Sequence, residues 1–271
     1  MKNKLLIYDD NCPMCVCYTK AFVRTGLLKD EQRRPFSSLP DALLARIDFE
    51  KGKNEIPLID TESGTTLYGI DALLEVLDQK IPFIKKIGTI RPVKWLLNRL
   101  YKFISYNRKV IVAKKCGAGG IDCAPAFSYK YRVLFLLVFF VFNTLMLIPV
   151  HHMLQHLPFY HLTITELQLS HLGLAVLNCI LALTFTRKNA LEYLGQINML
   201  ALITVLLLVP LIFLCKALFA EMIIGYLLLL TLFIFYEYLR RMEYANVLIQ
   251  RKWIVSIHLA SLLLFLLYIF H

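Results

Sequence analysis

Acidic residues are scarce in this chain, and they are distributed unevenly. Its 271 residues include 19 Asp or Glu against 30 Lys or Arg, a formal net charge of +11. Residues 79–132 contain thirteen Lys or Arg and one acidic residue, Asp122. A nucleic acid could bind such a segment, but the segment leads directly into a long apolar run. We therefore expect a lipid bilayer with an anionic inner leaflet as partner, and no nucleic acid.

Charged residues of both signs make up 18% of the chain, whereas apolar residues make up 58%. A mean hydropathy of +0.60 excludes an ordinary soluble protein. The excess lies after residue 130, in five runs of about 17 to 23 residues, each able to cross a hydrocarbon core of roughly 30 Å as a helix. Asn143 and Asn178 lie within these runs, where we predict hydrogen bonds between helices. The predicted spans are 131–150, 169–185, 197–219, 222–239 and 253–270.

The basic residues of the connections predict an orientation. Lys or Arg occur at 130–132, 187–188, 240–241 and 251–252, whereas 151–168 and 220–221 contain none. Because Lys and Arg concentrate on the cytoplasmic side, the N-terminal domain should be cytoplasmic and the C-terminus outside. The expected location is a cell membrane, the inner one where there are two.

A secretory signal sequence is not expected at the start of the chain, because Asp9 and Asp10 end the apolar run 5–8 after four residues. The thiols of Cys12 and Cys15 should therefore face the reducing cytosol. Cysteines there are more often catalytic, metal-binding or inert than part of a structural disulfide framework, so Cys12 and Cys15 could also be two packed thiols.

The run 5–8 is typical of a buried strand, and the CxxC pair that follows is predicted to open a helix. Cys12 would lie at the helix N-terminus, where unpaired N–H groups favour an accessible thiolate, and Pro13 fits the first helical position. Cys15 falls one turn later on the same face. Cys17 points roughly 200° away from Cys15 and is expected to pack in the core. The pair favours dithiol exchange, with Cys12 as nucleophile and Cys15 as resolving thiol.

Zinc binding is an alternative for these thiols. A tetrahedral site needs four ligands, and the soluble part contains no second CxxC and no HxxxH. In its strongest form the site would combine the CxxC pair with Cys116 and Cys123, which flank a glycine-rich loop. Cys116 and Cys123 could instead form a secondary redox pair or simply pack. We predict no metal and no cofactor.

Asp9 also admits two roles: it could accept a proton from the resolving thiol, or it could end the strand by accepting hydrogen bonds from turn amides.

The chain order of predicted elements is βαβαββα over about eighty residues, the order of a minimal thioredoxin fold. Strands are expected at 4–9, 35–39, 56–60 and 65–68, and Gly26 should end the first helix. The predicted domains are a thioredoxin-like α/β domain at 1–82, a basic amphipathic juxtamembrane segment at 83–130 and an all-α transmembrane bundle at 131–271. An amphipathic helix at 90–106 would either lie on the leaflet or pack under the domain.

The signature Asp9-x-x-Cys12-x-x-Cys15 resembles that of the DCC family of thiol-disulfide oxidoreductases, and Tyr106-Asn107-Arg108 resembles the motif that follows their thioredoxin-like part. This resemblance covers roughly residues 4–110. It implies reduction or exchange of disulfides in a protein or small thiol substrate, with Asp9 and Pro13 in supporting roles. The sequence around Pro57 is similar to glutaredoxins and glutathione transferases, which implies a cis-proline beside Cys12 that shapes the substrate groove.

A second class of function stays open at this point. The membrane bundle could be the functional unit, as a transporter or scaffold, with the soluble domain as a non-catalytic docking module or a zinc site.

Overall fold

The computed structural model describes residues 3–114, 125–157, 160–214 and 219–269. The chain forms two compact units, Met1–Tyr131 and Arg132–His271. The first unit contains four strands and six helices. They are β1 (Lys4–Tyr8), α1 (Pro13–Arg24), β2 (Arg33–Pro35), α2 (Asp41–Leu44), α3 (Phe49–Asn54), β3 (Pro57–Asp60), β4 (Thr66–Tyr68), α4 (Gly69–Leu77), α5 (Ile84–Gly88) and α6 (Arg91–Val112).

The four strands form one mixed sheet in the order β2-β1-β3-β4. β1 runs parallel to β2 and antiparallel to β3, and β3 is antiparallel to β4. Successive side chains of a strand point to opposite faces. Leu6 packs in one buried cluster with residues of α1 and α4, and Ile7 packs in another with Phe36 and Ile47. Both faces of the sheet are therefore covered, which explains why β1 contains the continuous apolar run 5–8.

The element order agrees with the predicted βαβαββα. The predicted position of the second strand, 35–39, was wrong. β2 ends at Pro35, and Phe36–Ser38 forms a 3-10 turn instead of continuing the strand. Proline has no N–H to extend the ladder, so pairing stops there. Gly26 has a φ of 68° directly after α1, which confirms its predicted role at the helix end. Gly69 begins α4 with a φ of 58°, where a Cβ would lie 3.1 Å from Glu55.

Helix α6 packs against the sheet domain through one face. The hydroxyl of Tyr101 accepts a hydrogen bond of 2.8 Å from the Ile56 N–H, and Ser105 donates to the Asn54 carbonyl. Of the two placements that the sequence left open for this helix, packing on the domain is therefore observed.

The second unit is all-helical and begins within α7. Its helices are α7 (Tyr129–Leu154), α8 (Ile164–Ala182), α9 (Arg187–Leu214), α10 (Ala220–Tyr244), α11 (Val247–Gln250) and α12 (Lys252–Ile269).

Four of these helices, α7 to α10, are long and apolar enough to cross a membrane, as expected of a membrane protein. The fifth predicted span, 253–270, corresponds to α12 (Lys252–Ile269), an apolar helix of 18 residues. Within the described residues α12 is not one of the four candidates, and the count of five spans stays a prediction. The predicted break between the third and fourth spans is confirmed, because α9 and α10 are separate helices.

A buried polar cluster joins four helices of this unit. His258 of α12 contacts the hydroxyl of Tyr238 at 2.8 Å, the hydroxyl of Tyr193 at 3.1 Å and the side-chain oxygen of Asn178 at 3.0 Å. Asn143 of α7 donates separately to α9. The two asparagines thus make the predicted hydrogen bonds between helices, the usual way of satisfying polar groups at such positions.

We expect Tyr101→Phe to loosen the contact between α6 and β3. The Ile56 N–H would lose its acceptor, at a cost of about 1 kcal/mol, which corresponds to about fivefold faster amide exchange at Ile56. Hydrogen exchange with mass spectrometry on the full chain measures this rate. Tyr106→Phe, on the same helix, is the control and should leave it unchanged. Equal exchange in the wild type and Tyr101→Phe would contradict this account.

Candidate functional site

Cys12 is the N-cap residue of α1. Its backbone is extended, with φ −100° and ψ 106°, and Pro13 occupies the first helical position. The Cys12 Sγ accepts a hydrogen bond of 3.4 Å from the Cys15 N–H, one turn into the helix. The side chain at an N-cap position normally accepts this hydrogen bond with an oxygen atom, and here the acceptor is a sulfur. The turn therefore places both thiols at the positive end of α1.

The pKa values of the two thiols are shifted in opposite directions. A hydrogen bond from the Cys15 side chain lowers the pKa of Cys12 to about 6, against the opposing effect of burial, and the Cys15 N–H and the positive charge of Arg108 also favour the thiolate. The same hydrogen bond to Cys12, together with burial, raises the pKa of Cys15 far above its usual range. At neutral pH the pair therefore holds one proton, on Cys15, and one negative charge, on Cys12.

A buried ion pair lies beside the thiols. Arg108 of α6 donates to Asp9 Oδ2 at 3.2 Å and to the Lys53 carbonyl at 3.0 Å, and its Nη1 lies 3.9 Å from the Cys15 Sγ. Both charged side chains are less than a tenth exposed. In such a site an unpaired charge would be costly, so each charge makes the burial of the other tolerable.

Asp9 combines one of its two predicted roles with a partner that the sequence did not identify. Its Oδ1 accepts from the Asn11 N–H at 3.0 Å and so ends the strand in the expected way. Its Oδ2 is held by Arg108, 99 residues further along the chain. The Tyr106-Asn107-Arg108 motif was the only signal in the sequence that pointed to this arginine, and it assigned the residue no role.

The exposure of the cysteines differs from expectation. Cys12 is 3% exposed, so the predicted accessibility of its thiol is wrong, whereas its role as nucleophile stays a prediction. Cys17, expected in the core, is exposed. A helix of twelve residues that covers a sheet has one inward face, and Cys15 and Thr19 occupy it.

An open surface groove of about 480 Å³ runs along the outer side of α1. Asp10 and Pro13, the residues on either side of the Asn11–Cys12 turn, line it, and so does Cys17. Val16 and three cations complete its lining, the cations being Lys20, Arg24 and Lys114.

Pro57 is buried at the start of β3, opposite Tyr68. The predicted cis peptide bond is wrong, because no cis bond occurs within the residues that the structure describes. The first position of a strand accommodates a trans proline, whose missing N–H leaves the ladder intact.

The possible secondary redox pair, Cys116 and Cys123, lies outside the described residues. Within the described ranges, no three His, Cys, Asp or Glu side chains come together in a way that could hold a metal ion.

Comparisons with known proteins return no match of any of three kinds: no family model, no curated protein and no solved structure matches the chain. The function of the chain is therefore inferred from the geometry of the site itself.

Proposed function

We propose that this chain is a membrane-anchored thiol-disulfide oxidoreductase that reduces or exchanges disulfides through Cys12 and Cys15. The observation that carries the proposal is the geometry at the N-terminus of α1, where the Cys12 sulfur accepts the Cys15 N–H at 3.4 Å and Arg108 lies 3.9 Å from the Cys15 sulfur. This arrangement lowers the pKa of Cys12, while the hydrogen bond from Cys15 to Cys12 raises the pKa of Cys15. One thiol is prepared as a nucleophile, and its neighbour retains a proton.

The reaction follows from this asymmetry. The Cys12 thiolate attacks a substrate disulfide, forms a mixed disulfide and releases one substrate thiolate, which takes up a proton. The mixed disulfide can no longer accept the hydrogen bond that raised the pKa of Cys15. Cys15 then loses its proton to solvent and attacks the Cys12 sulfur, which forms the Cys12–Cys15 disulfide and releases the second substrate thiolate, which in turn can take up a proton from solvent. Two electrons pass to the substrate, and a thiol reductant restores the dithiol.

Arg108 supports the second step as a positioning residue. With Cys12 in a mixed disulfide, negative charge develops on Cys15, whose sulfur lies 3.9 Å from the guanidinium. The bond to Asp9 fixes the guanidinium there at no cost in reorganisation.

Because Cys12 is buried, the turn that contains it must move before a substrate can react. Asp10 and Pro13 line the groove beside α1, so displacement of this turn opens Cys12 into the groove. The cations of the groove favour a substrate with acidic groups near its disulfide.

The proposal extends to fold, family and orientation. The strand order β2-β1-β3-β4 with α1 and α4 packed on the sheet supports a thioredoxin-like domain. The residues Asp9, Cys12 and Cys15 support membership of the DCC family. The basic ends of α7, α9 and α10 support a cytoplasmic location for the first unit. A C-terminus on the outer side would require α12 to cross as well.

Turnover tests the proposal directly. The purified full chain in detergent should reduce insulin in the presence of a thiol reductant, and Cys12→Ser should reduce the rate to background because the nucleophile is lost. Cys15→Ser should trap substrate as a mixed disulfide visible by mass spectrometry. Cys179→Ser is the matched control, since Cys179 is an exposed free cysteine of α8 in the second unit, and it should retain full rate. Equal rates in the wild type and Cys12→Ser would exclude the enzyme and favour a docking module.

The pH dependence of alkylation tests the thiolate. We expect the iodoacetamide reaction of Cys12 to have its midpoint near pH 6, because the folded pKa is about 6, and to slow about tenfold per pH unit below it. Cys15→Ala removes the largest stabilising hydrogen bond and should move the midpoint to higher pH. Mass spectrometry assigns the modified residue. Cys17→Ala should leave the midpoint in place, and a wild-type midpoint near 9 would refute the proposed activation.

A double-mutant cycle tests the ion pair. Arg108→Gln should destabilise the first unit by about 3 kcal/mol, because Asp9 would be left buried and uncompensated. Adding Asp9→Asn should recover most of this loss, measured by denaturant unfolding in detergent. Arg108→Gln alone should also raise the alkylation midpoint of Cys12, because the guanidinium favours the thiolate, and Asp9→Asn should bring it partly back, because the carboxylate opposes the thiolate. A wild-type midpoint in Arg108→Gln would assign Arg108 a structural role only.

A further inference from the structure

Helices α5 and α6 expose large apolar side chains in close succession along the chain. Scattered exposed apolar residues are normal, but a continuous set marks an interaction surface. We call this set the apolar face. It consists of Phe83 (63% exposed), Ile87 (56%), Leu96 (51%), Leu100 (50%) and Ile104 (47%).

On α6 the apolar face is a regular stripe. Leu96, Leu100 and Ile104 recur every fourth residue, so they lie on one side of the helix over about 12 Å. Tyr101 and Ser105, each one position further around, bind the sheet domain. The domain therefore occupies a different face of α6, and the apolar stripe is left without a partner in the described part of the first unit.

Phe83 adds a second, independent observation. Its φ of 77° places a bulky residue in the left-handed region, which costs about 1–3 kcal/mol. The ring held in this way is largely exposed instead of buried. The backbone of Phe83 is therefore strained while its aromatic ring faces outward. This combination is expected of a residue that contacts something outside the domain.

The charges around the apolar face indicate what that contact is. Residues 79–114 contain no acidic side chain. Lys86 lies 5.3 Å from the ring centre of Phe83, and Arg99 lies 5.4 Å from that of Trp95. Within the described ranges neither cation forms an ion pair, whereas Lys85 and Lys94 bind carboxylates of α4. An apolar stripe with unpaired cations and an aromatic at its edge has the composition of a helix at a lipid headgroup boundary.

We propose that the apolar face docks on an anionic lipid surface, that of the membrane which the same chain enters at α7. The C-terminal part of α6 contacts the start of α7: Asn107 donates to the Tyr131 carbonyl at 3.1 Å, and the rings of Tyr106 and Tyr131 stack with their centres 5.1 Å apart. The helix that carries the apolar stripe is therefore held beside the residues that lead into the first membrane-spanning helix, whereas a separate protein partner would have to be recruited. Each cation near the surface adds roughly 1 kcal/mol.

The two tryptophans of the chain, Trp95 and Trp253, make this testable in the intact protein. Trp253→Phe leaves Trp95 as the only indole, beside the apolar face. The full-length variant is reconstituted in nanodiscs that contain anionic lipid and phosphatidylcholine brominated on its acyl chains. We expect blue-shifted Trp95 emission, at least twofold quenching by the bromines, and weaker quenching when the anionic lipid is replaced by a neutral one.

Two further variants, each made in the Trp253→Phe chain, test whether the quenching depends on the apolar face. Leu100→Glu should abolish most of the quenching, because a carboxylate on the stripe opposes both burial and the lipid charge. Ser63→Glu adds the same charge in the exposed β3–β4 turn and should leave quenching unchanged. Water-like emission accessible to acrylamide would overturn the proposal, and blue-shifted emission without bromine quenching would do so in favour of a protein partner or a second copy. Thiol turnover is not part of the readout, so the outcome is independent of the proposed activity.

Discussion

The buried pair of Asp9 and Arg108 is the constraint on which the rest of the site depends. Asp9 lies directly after β1, and Arg108 lies near the end of α6, so the pair joins the strand before the two thiols to the last helix of the first unit. Neither charge would be tolerated there alone. The guanidinium also binds the Lys53 carbonyl and approaches Cys15, and thus one side chain organises three segments of the chain.

This arrangement gives the two thiols different electrostatic surroundings although they lie one turn apart. The Cys12 sulfur accepts a hydrogen bond from the Cys15 N–H at the N-terminus of the helix, whereas Cys15 lies within the first turn, close to Arg108. A cation beside the inner thiol suits a thiol that becomes charged only transiently, after its neighbour has reacted.

The sequence predicted the local parts of this structure well. The run 5–8, the Cys12-Pro13 helix start and the end at Gly26 depend on neighbours within a few residues, and all three are observed. Arg108 could not be placed, because its partner lies 99 residues away and no periodic pattern encodes that contact. The burial of Cys12 was missed for a related reason, since exposure depends on how the whole domain packs and not on the CxxC motif.

Helix α6 connects the two proposed activities of the first unit. Its inner side carries Tyr101, Ser105 and Arg108 to the sheet and the thiols, and another side carries Leu100 and Ile104. Arg108 lies eight positions after Leu100, which is about 12 Å along the axis. A helix held by hydrogen bonds at three points moves as one body with the domain. Docking of the apolar face on lipid would therefore fix the dithiol close to the membrane surface, where disulfides of membrane-bound or membrane-adjacent substrates come within its reach.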